Sequence, residues 1–531
     1  VPRADPERMK KQEEKKVMGI TTFAAIDVGS YNVCMDIYEM SPRIGIRQID
    51  EVRQRLELGR DTYGKGKITF DTATQLCHIL RDFSHIMEGY QVENYRACAT
   101  STLQEAENVW IVLEQVYQKT GIRVEILSNS EQRFFGYKSV AAKEESFTKM
   151  IQKGTAIIEV GGGNMQISLF DKDALLTTQR FMLGSLRVRE ILYPAEKETV
   201  HYEKMVEELV HNQILGFKKL HLKDRKIDNI ILMGDSFLDK LFENTQSMKE
   251  NRTVGYTAFM EKYQWVISHS PEEVSVSLDV SLEYAEILIP AMIIYRVFVE
   301  ELGAQTMWLP GTQLNDGISY DYAEKHKFIK SKHNFENDII VSAKNIAKRY
   351  MSGKNHTQCV LKNALAIFDG MKKIHGMGPR ERLLLQIAAI LHDCGNFISS
   401  SNSSQCAYEI IMSTEIIGLS HVERELIANV VRFIKLPFEY YNEADSKAMI
   451  DRKDYMQVAK LTAIMRVANV LDRSHKQKIE EITVSVKEQE LIMRVTSKAD
   501  LTLEKVLLTE AADFFEEIFS IRPVLKRKKQ K

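Results

Sequence analysis

Apolar positions follow two rhythms along the chain, and the change from one to the other divides it. An apolar run from Thr22 to Val28 meets a glycine, and β-type residues resume from Val33 to Tyr38, which predicts two adjacent strands joined tightly at Asp27-Val28-Gly29-Ser30. Helical spacing over Asp71–Met87, a short apolar run over Tyr95–Ala99, helical spacing again over Thr102–Gln118, a strand over Val124–Leu127 and a helix from about Ser130 continue the series. Such alternation predicts a layered α/β domain. The pattern then restarts: Thr155–Val160 is a strand, Gly161-Gly162-Gly163 a turn, and Gln166–Phe170 the returning strand. This repeat resembles the region of Asp27 to Ser30, so a second α/β lobe is expected, with two strand-turn-strand loops facing one another across a cleft. That lobe continues through Asn229–Gly234 and ends near Gly317.

Beyond about Lys325 the rhythm becomes that of long amphipathic helices, over Asn337–Met351, Thr357–Met371, Arg380–Leu391, Val422–Phe433 and Tyr455–Leu471. The final stretch alternates once more, with strands at Ile482–Val486 and Leu491–Val495, a helix over Leu501–Phe519 and a short strand at Arg522–Leu525. The expected divisions are a tail over 1–17 with the look of an expression scar, a first lobe over 18–140, a second over 141–322, a helical domain over 325–475 and a small α/β module over 476–531 ending in a basic tail, Lys526 to Lys529.

The chain's 531 residues are too many for one core, which supports several domains. A formal net charge of -1 argues against a protein that grips nucleic acid by overall charge, so a polyanion must be held by a local site. The longest apolar run, Ile287–Tyr295, is too short for a membrane span, and no membrane partner is expected. Six scattered cysteines without a CxxC pair suggest a reducing, cytoplasmic setting.

Chemistry concentrates at the two turns. In Glu159-Val160-Gly161-Gly162-Gly163 three residues without Cβ allow backbone N–H groups to approach a phosphate, and a strand-terminal carboxylate can hold a metal. Asp27-Val28-Gly29-Ser30 offers the same combination with a hydroxyl added. Either turn alone reads equally well as a hairpin without a ligand; the pair points to phosphate.

In order along the chain, Ala24–Ser30, Ala99–Asn108, Ile126–Arg133, Ile158–Gly163 and Leu183–Arg187 resemble the motifs of the exopolyphosphatase and guanosine pentaphosphate phosphatase (Ppx/GppA) family, over roughly Met18 to Tyr322. The resemblance implies an α/β fold of two actin-like, ribonuclease-H-like lobes, of the acetate and sugar kinase and actin superfamily, followed by an all-α HD-like domain and a small α/β cap. It implies Mg²⁺-dependent hydrolysis of the terminal phosphoanhydride of inorganic polyphosphate or guanosine pentaphosphate, and a homodimer. Glu131 falls at the family's catalytic glutamate and is expected to act as general base; without the family it reads as a residue favoured at a helix start. Asp27 and Glu159 would organise Mg²⁺, while Gly29, Ser30, Gly161, Gly162, Gly163 and Asn164 would meet phosphates.

Several residues depart from the family pattern. Glu159 stands for aspartate, Gln166 for a second catalytic-site glutamate, Asn164 for serine, Gln104 for a phosphate-reaching arginine, and Tyr31-Asn32 for Asn-Ser. Lys65 and Lys67 could supply replacement charge, or form a solvated loop. These departures admit weak or retuned hydrolysis or a polyphosphate- or guanosine-polyphosphate-binding regulator that has lost turnover, and the fold the resemblance implies also admits a kinase-like phosphotransferase. In the helical domain His356, His392 and Asp393 follow the spacing of a metal-dependent His-Asp phosphohydrolase, but Asn469 stands at its further aspartate, with Asp472 three residues on. An incomplete ligand set favours a structural or channel module over a second catalytic site.

Overall fold

The computed structural model of the protein describes residues 19–196, 202–234, 237–441 and 451–528. The tail expected over 1–17 and Lys529 of the basic end lie outside the described residues. The chain separates into two compact units, Val1–Asn334 and Phe335–Lys531.

The first unit holds two sheets. In the first, β1 (Thr21–Val28) runs antiparallel to β2 (Asn32–Ser41), which pairs with β3 (Gly45–Arg55); on its other side β1 runs parallel to β4 (Asn94–Ala99), and β4 to β5 (Val124–Ile126). The apolar content of β1 is explained by burial on both faces. Alternate residues Ala24, Ile26 and Val28 face Leu76, Leu80 and Phe83 of the helix Phe70–Tyr90. Phe23 and Ala25, pointing the other way, meet Phe135 of the helix Asn129–Ala141 and Ile318 and Ala323 of the helix Leu314–Lys325. The last helix of the unit therefore packs on the first sheet, although the chain reaches it from the second.

The second sheet repeats the first. Strands β6 (Thr155–Val160), β7 (Met165–Asp171) and β8 (Ala174–Phe181) form an antiparallel meander, β9 (Asn229–Gly234) and β11 (Thr306–Trp308) add parallel to β6, and β10 (Thr253–Gly255) closes the edge. The order β8-β7-β6-β9-β11 matches β3-β2-β1-β4-β5 strand for strand. The run Ile287–Tyr295 lies in the helix Leu282–Leu302, buried against this sheet with Pro290 inside it. Among the described residues no helix is long and apolar enough to cross a membrane.

In the second unit the helices Phe335–Arg349, Lys354–Gly370, Pro379–Leu391, Ser403–Ser413, His421–Arg432 and Arg452–Val470 share one core with the sheet of β12 (Glu481–Lys487), β13 (Glu490–Thr496) and β14 (Arg522–Arg527) and with the helix Thr502–Phe519. Leu491, Met493, Phe514 and Phe515 pack among the helical residues.

Some elements depart from the sequence pattern. The helix expected over Thr102–Gln118 is two, Ser101–Glu105 and Val109–Thr120. The break falls at Ala106, whose backbone is extended, and Asn108 anchors the connection that follows: its side chain pairs with the backbone of Ile68, accepting from the N–H at 3.0 Å and donating to the carbonyl at 2.8 Å. Strands β3 and β8, absent from the pattern reading, lie towards or at sheet edges and carry too many polar residues for an apolar run.

Asp36 on β2 is buried beside Tyr38 and Asp316 and accepts a hydrogen bond from Gln48 Nε2 at 3.0 Å. Burial pushes its carboxyl up to about 7. Between roughly pH 4 and 7 the native chain then binds more protons here than the unfolded chain, so this residue lowers stability as pH rises. Asp36→Asn keeps the acceptor for Gln48 and removes the ionisation. Thermal melts are expected to show the variant more stable than wild type at pH 8, with the gap closing near pH 4; a gap equal at both pH values would contradict this account.

Candidate active site

The two hairpins are built alike. Gly29 N–H donates to Asn32 carbonyl at 3.0 Å, and Gly161 N–H to Asn164 carbonyl at 2.9 Å, so Asp27-Val28-Gly29-Ser30-Tyr31-Asn32 and Glu159-Val160-Gly161-Gly162-Gly163-Asn164 close the same turn with a carboxylate two residues ahead of the first glycine. Both hairpins open into one cleft of about 910 Å³, mouth included. Asp27, Gly29, Ser30, Glu159, Gly161, Gly162, Gly163 and Asn164 all line it. The structure thus brings together the residues expected to hold phosphate and metal at the turns.

Close approach explains the glycines. A Cβ on Gly162 would lie 2.8 Å from Ser30 Cβ, one on Gly163 1.8 Å from Tyr63 Oη, and one on Gly184 2.2 Å from the Gly162 carbonyl oxygen. Across this contact Tyr63 Oη lies 2.9 Å from Thr102 Oγ1, 3.2 Å from Ser101 Oγ and 3.4 Å from Ser30 Oγ, and Thr102 donates to Ser30 at 2.5 Å. The Arg187 guanidinium stacks over the Tyr63 ring at 4.2 Å, and its Nε donates to the Gly163 carbonyl at 2.6 Å. Glu105 accepts from Arg187 at 2.5 Å and Arg180 at 2.9 Å, tying the helix Ser101–Glu105 to the second sheet.

Other expected residues sit apart from the cleft wall. Glu131 forms a capping box: its Oε2 accepts from Ser128 N–H at 3.0 Å and from Ser128 Oγ at 2.8 Å, while Gln132 beside it lines the cleft. Glu131 and Asp27 nonetheless act on one group. Burial pushes the Cys98 thiol up to about 12, and among the smaller influences both carboxylates raise it further. Gln166 is buried; its Oε1 accepts from Arg133 Nε at 2.8 Å and its Nε2 donates to Asn164 at 3.2 Å, so it braces the turn from behind. Lys65 pairs with Asp61 at 3.0 Å and Lys67 is exposed, both outside the lining. Pattern reading missed Arg53, Thr312 and Gln313 as cleft residues. Arg53 lies on the unrecognised strand β3; Pro310–Gly317 was legible only as a boundary.

In the second unit His356 Nδ1 meets Asp472 Oδ2 at 2.9 Å, its ring stacks on His475 at 3.6 Å, and His392 lies 5.2 Å away with Nδ1 against the Ala389 carbonyl at 2.8 Å. Asp393 accepts from Asn396. Burial holds the His392 imidazole well below its ordinary value. Asp472 thus does approach His356, but among the described residues no group of three or more His, Cys, Asp and Glu side chains is arranged to hold a metal, here or in the cleft.

Comparison with known proteins gives concordant matches. A family model described as the Ppx/GppA phosphatase family matches residues 37–326, and one described as Ppx/GppA phosphatase, domain III, matches residues 340–513. A guanosine-5'-triphosphate,3'-diphosphate pyrophosphatase of Photobacterium profundum is 20% identical over 481 residues, covering 89% of this chain and 91% of that one. A protein of the same name from Aeromonas hydrophila is 20% identical over 472 residues, 85% of this chain and 87% of that one. Among solved structures, an exopolyphosphatase from Cytophaga hutchinsonii shares the fold with a TM-score of 0.51 at 15% identity, over 57% of this chain and 98% of that one.

At the contact between the hairpins the approach to fixed backbone is tightest at Gly184, where a Cβ would meet only main-chain atoms of Gly162 and Gly163 that cannot swing aside. Gly184→Ala is expected to cost about 2–4 kcal/mol, an overpacking penalty at the upper end because backbone must shift. Chemical denaturation would measure it; a variant as stable as wild type would show that the hairpin contact is loose.

Proposed function

Because the chain belongs to the Ppx/GppA phosphatase family, we infer that it is a Mg²⁺-dependent hydrolase releasing the terminal phosphate of inorganic polyphosphate or guanosine pentaphosphate. The observation that carries this reading is the pair of matching hairpins, each led by a carboxylate, opening into one cleft. The names of the relatives, a guanosine pentaphosphate-type pyrophosphatase and an exopolyphosphatase, support both substrate classes.

The donor set suits Mg²⁺. This ion is commonly held by one or two carboxylates together with substrate phosphates and water, so Asp27 and Glu159 need no third protein ligand. When bound it would neutralise phosphate charge and polarise a phosphoryl oxygen. The N–H groups of Gly29 and Gly161 are committed to closing their turns, which leaves phosphate contact to the tips, Ser30, Gly162 and Gly163. Phosphoryl transfer depends mostly on positioning and electrostatics, and a cleft walled by two rigid turns supplies the first. Glu131, its rotamer fixed by two hydrogen bonds from Ser128, is the base in this reading, orienting and deprotonating the attacking water. A binding protein without turnover is the second reading, favoured by Gln166, which is buried against Arg133 and offers no carboxylate to the cleft.

Glu131→Gln separates base from cap, because glutamine serves equally at the third position of a capping box. With Mg²⁺, phosphate release from long polyphosphate and from guanosine pentaphosphate is expected from the wild type, and to fall by on the order of 10²-fold or more in the variant at unchanged melting temperature. Release undiminished in the variant would remove Glu131 from the chemistry. No release by a folded wild type that binds either substrate would establish the second reading.

A further inference from the structure

Both sheets carry the same row of side chains across three strands. In the first, Asp27 of β1 is opposite Cys34 of β2, and Cys34 opposite Arg53 of β3; in the second, Glu159 of β6 is opposite Gln166 of β7, and Gln166 opposite Arg180 of β8. Residues directly opposite one another share a sheet face, so each lobe presents acid, spacer and arginine in line. The two arginines have different partners. Arg180 joins Arg187 in gripping Glu105. Arg53 lines the cleft, where its Nη2 donates to Gln313 Oε1 and to Glu51 Oε1, each at 3.0 Å.

Arg53 is the one cation among the described residues lining the cleft, whose walls otherwise offer the carboxylates Asp27 and Glu159, hydroxyls, amides, the Cys34 thiol, backbone and a few apolar side chains. The Glu51 side chain is 44% exposed and that of Arg53 27%, and an ion pair so open to water contributes little and exchanges readily for a stronger anion. Gln313, whose N–H is held by Asp316 at the start of the helix Leu314–Lys325, also lines the cleft and accepts from the guanidinium. The row spaces the backbone of Arg53 two strands, about 10 Å, from that of Asp27.

The geometry points to Arg53 as the substrate-binding cation of the cleft, engaging phosphates of the chain beyond the one that is cleaved and so selecting substrates with an extended phosphoanhydride. This rests on the hydrolase reading above and deepens it. The planar fork suits bidentate contact with phosphate oxygens, which a lysine meets only as a point charge.

The test is phosphate release from inorganic tripolyphosphate with Mg²⁺, paired with equilibrium binding of tripolyphosphate with and without Mg²⁺, for wild type, Arg53→Gln and Arg53→Lys. Arg53→Gln is expected to raise KM roughly 10- to 100-fold, the loss of one charge-assisted contact, with kcat within about twofold, a shallower dependence of KM on salt and an unchanged melting temperature. Arg53→Lys should recover part of the loss. An unchanged KM, or a fall confined to kcat, would overturn the assignment. If the wild type binds tripolyphosphate but releases phosphate neither from it nor from long polyphosphate or guanosine pentaphosphate, the hydrolase reading fails alone: weaker binding by Arg53→Gln then upholds Arg53 as the cation, and equal binding removes it. A wild type that binds no tripolyphosphate under either condition overturns the assignment of Arg53, and one that also binds neither long polyphosphate nor guanosine pentaphosphate overturns both.

Discussion

Two turns of backbone can meet closely only where side chains are missing, and the cleft of the first unit depends on this. Gly162 and Gly163 lie against Ser30, Ser101 and Tyr63, and Gly184 lies against the carbonyl side of the same turn. Through these contacts the two turns meet, and Asp27 and Glu159, each on its own sheet, line one cleft. Polar links reinforce the closeness. Glu105 holds Arg180 and Arg187, Tyr31 Oη meets Ser281 Oγ at 3.0 Å, and Arg55 pairs with Glu283 at 3.0 Å. The site therefore arises from the packing of two copies of one motif, each on its own sheet.

Much of this was legible in the sequence because burial on both faces leaves an unmistakable mark. The central strands β1 and β6 carry near-continuous apolar runs, and each is followed by glycine, so both turns and the carboxylates leading them stood out before any coordinates. The likeness of the halves was visible as a repeated strand-turn-strand, and the matching strand orders extend it to five strands in each sheet. Strands nearer the edges left a fainter trace. The charged and amide residues of β3 satisfy solvent and neighbours together, which erased the apolar run and concealed Arg53.

Side-chain destinations were harder to read than elements. Lys65 and Lys67 looked like cations awaiting an anion, but a loop's direction is set by tertiary packing, and Lys65 is turned to Asp61 four residues before it. Glu131 satisfies two descriptions at once: Ser-x-x-Glu at a helix start is a capping box whether or not it is also a catalytic segment, and sequence cannot weigh one against the other. In the second unit the His356 and His392 rings lie 5.2 Å apart, with Nδ1 of His356 on Asp472, Nδ1 of His392 on the Ala389 carbonyl and Asp393 accepting from Asn396, while His392 Nε2 is buried without a hydrogen-bond partner. The core they adjoin is continuous from the helices to the terminal sheet.

Each turn is closed from within its own main chain, glycine N–H to asparagine carbonyl, and no side chain takes part in that closure. What stands between those anchors is set by the packing around the tip and not by the closure: a Cβ on Gly162 would meet Ser30, and one on Gly163 would meet Tyr63 and Ser101. One copy carries Ser30 and Tyr31 at its tip and the other two glycines, so a single polypeptide holds two forms of one turn, the bare one fitted against the substituted one. The same closure thus presents a hydroxyl and a phenol from the first sheet and bare backbone from the second, two different chemistries on one scaffold.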